Sequence, residues 1–339
     1  MTSVRRFGRT GDAEIHEVVL SADSGAEARI ITWGAVLRDL CVPSPTGPRS
    51  VVLGFDSLDD YLAHSPYFGA IVGRYANRIG GARFRLDGHD VGLVPNEGRN
   101  QLHGGPAGFG RRVWSLLEHS RRRAHLGLVS EDGDMGYPGR LLASCTYELD
   151  EPALLRITLE ASCDAPTPVN LTTHSYYNLD GSADVRNHRL AILAEHVTPT
   201  DGELIPTGAV TPVDGTRFDF REPRPIRRAE PYETYDLNFV LRRDGDRAKR
   251  RLAHAATLES GGVAMELWTT EPGLQFYDGH KIDIPVPGTG GRRLARFGGL
   301  ALEPQRFPDG PNQPHFPPCI LRPGIVSRQV TELRFRTAG

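Results

Sequence analysis

No stretch of the 339-residue chain approaches the roughly 18 consecutive apolar residues that a membrane-spanning helix needs. Neither sign of charge is in surplus. Forty basic and 42 acidic residues leave a net charge of −2, without the basic footprint of a nucleic-acid binder or the charge run of an interaction tail. Cysteine is scarce: Cys41, Cys145, Cys163 and Cys319 stand far apart and form no C-x-x-C pair. Structural zinc sites show paired spacing, so these read as four reduced thiols of a cytosolic protein. The opening MTSVRRFGRTGDAEIHE has arginines but no apolar segment behind them, which argues against a secretory signal. The triplet Asn170-Leu171-Thr172 is then a chance match to a glycosylation acceptor. Long amphipathic helices are missing too, and without crossover helices a Rossmann-type parallel sheet cannot be built. The expectation is a cytoplasmic protein with no membrane and no nucleic-acid partner.

Glycine and proline are abundant, at 38 and 26 residues, and they are spread along the chain without gathering into a linker. That pattern fits many short elements joined by turns. LLRITLEASC places Leu155, Ile157, Leu159, Ala161 and Cys163 on one face and Arg156, Thr158, Glu160 and Ser162 on the other, the period of a half-buried strand. GVAMELWTT does the same, with Val263, Met265 and Leu267 opposite Glu266. EARIITW, AVLRDLCV, SVVLGF, ARFRLDG, AHLGLVS, LLASCTYEL, HRLAILAEHV, GLALE and TELRFRT also read as strands. One short helix is expected, LDDYLAH behind an N-cap at Ser57. No composition shift and no fixed-period repeat divides the chain, so residues 1–339 read as one all-β domain, a sandwich or a barrel.

Five segments break this pattern with dense polar chemistry. They are GRYANRIGG (73–81), NEGRNQLHGG (96–105), VNLTTHSYYNLDG (169–181), ETYDLNF with GLQFYDGH (233–239 and 273–280), and ALEPQRFPDGPNQP (301–314). In the last, Ala301 and Glu303 share a strand face, and a carboxylate beside a small residue leaves room for a ligand. Pro304 biases Glu303 toward extended backbone, and the polar Gln305, Asp309, Asn312 and Gln313 follow. In the third, alternation puts Thr172, His174 and Tyr176 on one face. The bland readings are a solvated strand-end glutamate and a hydrogen-bonded core histidine. His103 precedes glycines that would let backbone approach a ligand. Asn77 and Arg78 supply donors at fixed angles for hydroxyl groups. A metal held by His174, His103 and Glu303 has no H-E-x-x-H or H-x-x-E-H run behind it, and a serine hydrolase has no G-x-S-x-G.

GRYANRI, LHGG, THSYYNLDG, LQFY and LEPQRFPDGPN, in this order and spacing from about Ala28 to Phe335, closely resemble the aldose 1-epimerases, also called galactose mutarotases. The resemblance implies a large antiparallel β-sandwich, a monosaccharide bound in a groove on one sheet, and no cofactor or metal. By it, His174 corresponds to the histidine that protonates the ring oxygen and Glu303 to the carboxylate that takes the proton from the C1 hydroxyl. His103 corresponds to a second histidine near the ring oxygen. Asn77, Arg78, Asp236 and Gln275 correspond to residues that hold sugar hydroxyls, and Tyr176 lies in the substrate-contacting stretch. Family members commonly have Asn-His-Ser-Tyr-Phe at Thr173–Tyr177, Tyr-Asp-His at Tyr235–Leu237, and Phe-Tyr-Thr-Gly-Asn at Phe276–His280. The last two departures flank proposed sugar ligands and bear on sugar preference.

Mutarotation moves one proton off O1 and one onto the ring oxygen, so a carboxylate and an imidazole suffice, exchanging roles on reclosure. Two rival readings stand beside this one. A glycoside hydrolase would use a carboxylate pair such as Asp236 and Glu303, and a non-catalytic module would only bind sugar. Neither the preferred aldose nor the choice between monomer and homodimer is written in the sequence.

Overall fold

The computed structural model of the chain describes residues 3–227, 234–242 and 251–337. Among the described residues there are three larger sheets and one α-helix, Leu58–His64, and the ladders within those sheets are antiparallel. The helix begins where the sequence places it, with the Ser57 hydroxyl accepting the Asp60 N–H.

The largest sheet runs in the order Ser115–Ser120, Arg123–Ser130, Leu141–Asp150, Leu154–Cys163, Ser327–Thr337, Val263–Thr269, Ala253–Ser260, Arg189–Ile192, Arg224–Pro225. A six-stranded sheet runs Tyr176–Tyr177, Leu300–Gln305, Gly273–Tyr277, Asp236–Leu241, Ala194–Thr198, Thr211–Pro212. Leu155, Ile157 and Leu159 of the first share one buried cluster with Leu237, Phe239, Leu274, Phe276, Leu300 and Leu302 of the second. The two sheets therefore pack face to face as a sandwich. A third sheet of five strands, from Ser3–Thr10 to Arg49–Ser50, contributes Val18, Leu20, Ile30, Leu37 and Leu40 to the same core.

Period two does the rest. With Leu237, Phe239, Leu274, Phe276, Leu300 and Leu302 facing the core, Asp236, Asn238, Gln275, Tyr277, Ala301 and Glu303 must face the other way. Register aligns them in rows across the sheet. Asn238, Gln275 and Glu303 form one, and Asp236, Tyr277, Ala301 and Tyr176 the next. A one-residue slip would drive Glu303 and Gln275 into the apolar core, so the pairing is strongly specified.

Two segments differ from the expectation. HRLAILAEHV is not one strand: Arg189–Ile192 lies in the nine-stranded sheet and Ala194–Thr198 in the six-stranded one, with Leu193 at the corner. Its apolar run has no period to mark a change of sheet. In SVVLGF only Ser50, at the end of the strand Arg49–Ser50, lies in a ladder, and Val52 makes an isolated bridge. Val51 N–H bonds to Leu40 O and Leu53 N–H to Tyr176 O, so the segment threads between two sheets, buried from Val51 to Phe55.

Candidate active site

The stretch around His174 does not continue as one strand. Thr172–Thr173 pairs with Ile71–Val72, and Tyr176–Tyr177 pairs with Leu300–Ala301. Between these ladders, His174 N–H donates to Ala70 O while its carbonyl accepts from Gly69 N–H. The imidazole is held at the point where the backbone changes partners, and it faces the polar rows of the six-stranded sheet.

There its Nε2 lies 3.6 Å from Glu303 Oε2. That is too long for a hydrogen bond. Glu303 Oε2 and His174 Nδ1 are both buried without a hydrogen-bond partner among the described residues. Unsatisfied buried polar atoms cost about 1–3 kcal/mol each in a purely structural role, a cost that marks the pair as a candidate for chemistry. Pro304 extends Glu303 as expected. It is tolerated because the adjoining strand, Tyr176–Tyr177, has already ended, and the Pro304 carbonyl takes bonds from Thr172 Oγ1 and Gln329 Nε2.

The remaining sequence-derived residues converge on the same face. His103 packs against His174 with ring centroids 5.1 Å apart, and Tyr176 stacks on His174 at 5.0 Å and 22°. Gln275 Nε2 donates to Asp236 Oδ1 at 2.7 Å, one row from Glu303. Asn77 N–H donates to His103 Nδ1, His103 N–H donates to Asn77 O, and Asn77 Oδ1 accepts the Arg78 N–H. Arg78 is buried, and its Nε and Nη2 both donate to Glu97. The guanidinium as a whole lies close enough to Asp236 and Glu303 to feel their charge. Glu233, at the head of ETYDLNF, lies outside the described residues.

Burial dominates the electrostatics. It pushes Glu303 well above the usual carboxylate range, with Asp236 pushing the same way and Arg78 opposing. It also raises Asp236, lowers His174 to about 4 and lowers His103 well below the ordinary imidazole value. Burial pulls Arg78 down, but the hydrogen bonds to Glu97 and the charges of Asp236 and Glu303 outweigh it, so its pKa is raised.

Three residues here, His103, His174 and Glu303, have possible ligand atoms all within 4.8 Å of one another. The donor set does not fit a cation. Because His103 Nδ1 accepts the Asn77 N–H, the proton of its neutral ring sits on Nε2. That nitrogen is a hydrogen-bond donor, and a metal ligand there would have to be an imidazolate.

Some of the site was not visible in the sequence. Tyr67, in the unremarkable SPYFG, contacts both histidines, and Glu97 clamps Arg78. Glu97 lies in a polar segment already singled out, but Tyr67 carried no signal. The glycine after His103 has a different cause from the expected one. A Cβ on Gly104 would lie 1.9 Å from Gly73 O, and its φ is +84°, so it serves a close approach of two backbone segments. Asp309 and Asn312 are likewise structural: Asp309 Oδ1 accepts from Gly80 N–H and from Asn312 Nδ2. The departures separate as well. Leu237 faces the core, whereas Asp278 accepts from Tyr235 N–H and from the backbone N–H of His280, and lies 2.8 Å from the His280 ring Nδ1. His280 and Lys281 line a cleft of about 500 Å³ that shares Asp236 with the site. A larger cavity of about 740 Å³, near Glu195 and Arg221, touches none of the site residues named here.

Comparison with known proteins bears on the family and the fold. The family model described as Aldose 1-epimerase matches residues 16–334. The chain is 40% identical to the galactose mutarotase of Rattus norvegicus over the whole of both chains. It is 39% identical to the aldose 1-epimerase of Escherichia coli K12, covering 94% of each. Among solved structures, an aldose epimerase homologue from C. elegans superposes with a TM-score of 0.89 at 31% identity, covering 95% of this chain and 99% of that one. By family model, sequence and fold alike, the chain belongs to the aldose 1-epimerases, enzymes that interconvert the α and β anomers of free aldoses.

Proposed function

We propose that this enzyme acts on a free galactose- or glucose-like aldose, with His174 and Glu303 as its acid/base pair. The observation that carries the reading is the facing of His174 Nε2 and Glu303 Oε2 at 3.6 Å, buried and unbonded to each other. Glu303 takes the proton from the C1 hydroxyl as His174 delivers one to the ring oxygen. The C1–ring-oxygen bond breaks and a C1 carbonyl forms. The aldehyde turns about C1–C2, and closure returns both protons with the roles reversed. The neutral His103, with its proton on Nε2, supplies a donor for the ring oxygen. Asn77, Arg78, Asp236 and Gln275 hold the other hydroxyls so that the open chain stays bound while C1 turns. Four unpaired cysteines support a cytoplasmic setting. Polarimetry of fresh α-anomers tests the reading. Mutarotation should accelerate in proportion to enzyme, and a rate equal to buffer would leave only a sugar-binding protein.

The pair works while it holds one proton, on either partner. It gains a second when His174 is protonated beside a neutral Glu303, and it loses its only proton when Glu303 ionises beside a neutral His174. Since burial lowers His174 to about 4 and raises Glu303, kcat/KM should be flat through neutrality. It should fall below about pH 4 and again on the alkaline side. An acid limb at the ordinary imidazole value, about 6.5, would contradict this assignment.

Arg78→Ala should raise KM more than it lowers kcat, because the guanidinium is already held by Glu97 and offers one remaining nitrogen to a hydroxyl. Unaltered steady-state kinetics on galactose, glucose and xylose would show that Arg78 touches no substrate. Activity should also survive prolonged dialysis against EDTA, given the protonated Nε2 of His103. A loss restored by a divalent ion would reverse the reading of that histidine.

A further inference from the structure

Tyr67 has no part in the reaction as written above, yet its ring lies against both histidines of the site. Its centroid is 5.9 Å from that of His174 with the planes 23° apart, and 4.8 Å from that of His103. Tyr176 is stacked on His174 at 22°, so the imidazole is stacked with two phenol rings. The guanidinium of Arg111 lies over the Tyr67 ring at 5.4 Å. Tyr67 has φ of +70°, a region that bulky side chains rarely occupy, and Asn77 and His103 share that property at +62° and +51°. Such conformations persist where the surroundings over-determine them, and they gather at functional sites.

We propose that Tyr67 is a positioning residue, clamping the His174 imidazole together with Tyr176 so that Nε2 faces Glu303 and the protonated ring is stabilised by aromatic faces. A buried imidazole has lost the water that would solvate its charge. The π-faces of tyrosine replace part of that solvation, and two near-parallel rings also fix the direction of the N–H. The other titratable or charged groups near His174 are Glu303, 3.6 Å from Nε2 and neutral where the acid limb falls, His103, which is neutral, and Arg111, over the Tyr67 ring. The two tyrosines are thus the uncharged part of the environment that favours the proton on His174.

The inference rests on His174 as the acid, and its test separates the two. Tyr67→Leu removes the ring and keeps an apolar side chain, Tyr67→Phe keeps the ring, and Tyr67→Met replaces Tyr67→Leu if that variant does not fold. In Tyr67→Leu, kcat should fall about tenfold with KM nearly unchanged, and the acid limb should move down by about one pH unit, the size expected of a desolvated cation–π contact. Tyr67→Phe should restore both. NMR titration of isotopically labelled His174 reads the same midpoint shift whether or not His174 is the acid. A shifted midpoint with unchanged kcat would leave the clamp in place and reject the role of His174. An unmoved midpoint and acid limb in Tyr67→Leu, or a Tyr67→Phe enzyme as impaired as Tyr67→Leu, would overturn the proposal.

Discussion

Replacing His174 by alanine should lower kcat by about 10²–10⁴ while KM changes by only a few fold. In the proposed mechanism the imidazole acts as the C1–ring-oxygen bond breaks, when the ring oxygen gains charge and needs a proton. On the proposed reading, ground-state binding falls to other groups, Asn77, Arg78, Asp236 and Gln275. Removing the ring also leaves a gap between Tyr67 and Tyr176, which stack on it from 5.9 and 5.0 Å. Added imidazole should therefore restore part of the lost turnover. The measurement is steady-state polarimetry with and without imidazole, corrected for the buffer reaction. An alanine variant with wild-type kcat would remove His174 from the chemistry.

The strands that build the sandwich are legible wherever one face is apolar and the other polar. Leu154–Cys163 and Val263–Thr269 are found almost residue for residue, because alternation reports directly on a half-buried surface. Legibility ends where that surface ends. The corner at Leu193 lies in an unbroken apolar run, and SVVLGF is buried between sheets, so neither has a period to read. The strands Asp236–Leu241 and Gly273–Tyr277 read only as polar segments, since their outward residues face a groove instead of open solvent. The N-terminal hairpin, Ser3–Thr10 with Ala13–Ser21, is not among the expected strands.

The site shows the same division. His174, Glu303, Asn77, Arg78, His103, Tyr176, Asp236 and Gln275 are chemically conspicuous in polar segments, and the structure gathers all eight around one sheet face. Their mutual geometry depends on register between strands far apart in sequence, as in the row Asn238, Gln275, Glu303. Local sequence does not carry that register. Tyr67 escaped notice because a tyrosine beside a phenylalanine in a turn is ordinary, and its meaning comes only from the two histidines folded against it. Gly104 shows the opposite error, a motif glycine read as room for a ligand when the room is taken by the Gly73–Arg74 backbone.

The proton shared by His174 and Glu303 is the centre of the account, and Glu303→Gln tests it most directly. The amide keeps the shape of the carboxylate and can still hydrogen-bond the C1 hydroxyl, but it cannot take a proton. Glu303 is buried, with Oε2 unbonded, so the substitution breaks no hydrogen bond to that oxygen. Anomer exchange should be followed by NMR at saturating sugar near neutral pH, with affinity measured by calorimetry on the same sample. Affinity close to wild type together with a fall in kcat of about 10²–10⁴ is the predicted result. Full turnover by Glu303→Gln, or weakened binding with kcat intact, would contradict the shared-proton mechanism even though the family assignment would stand.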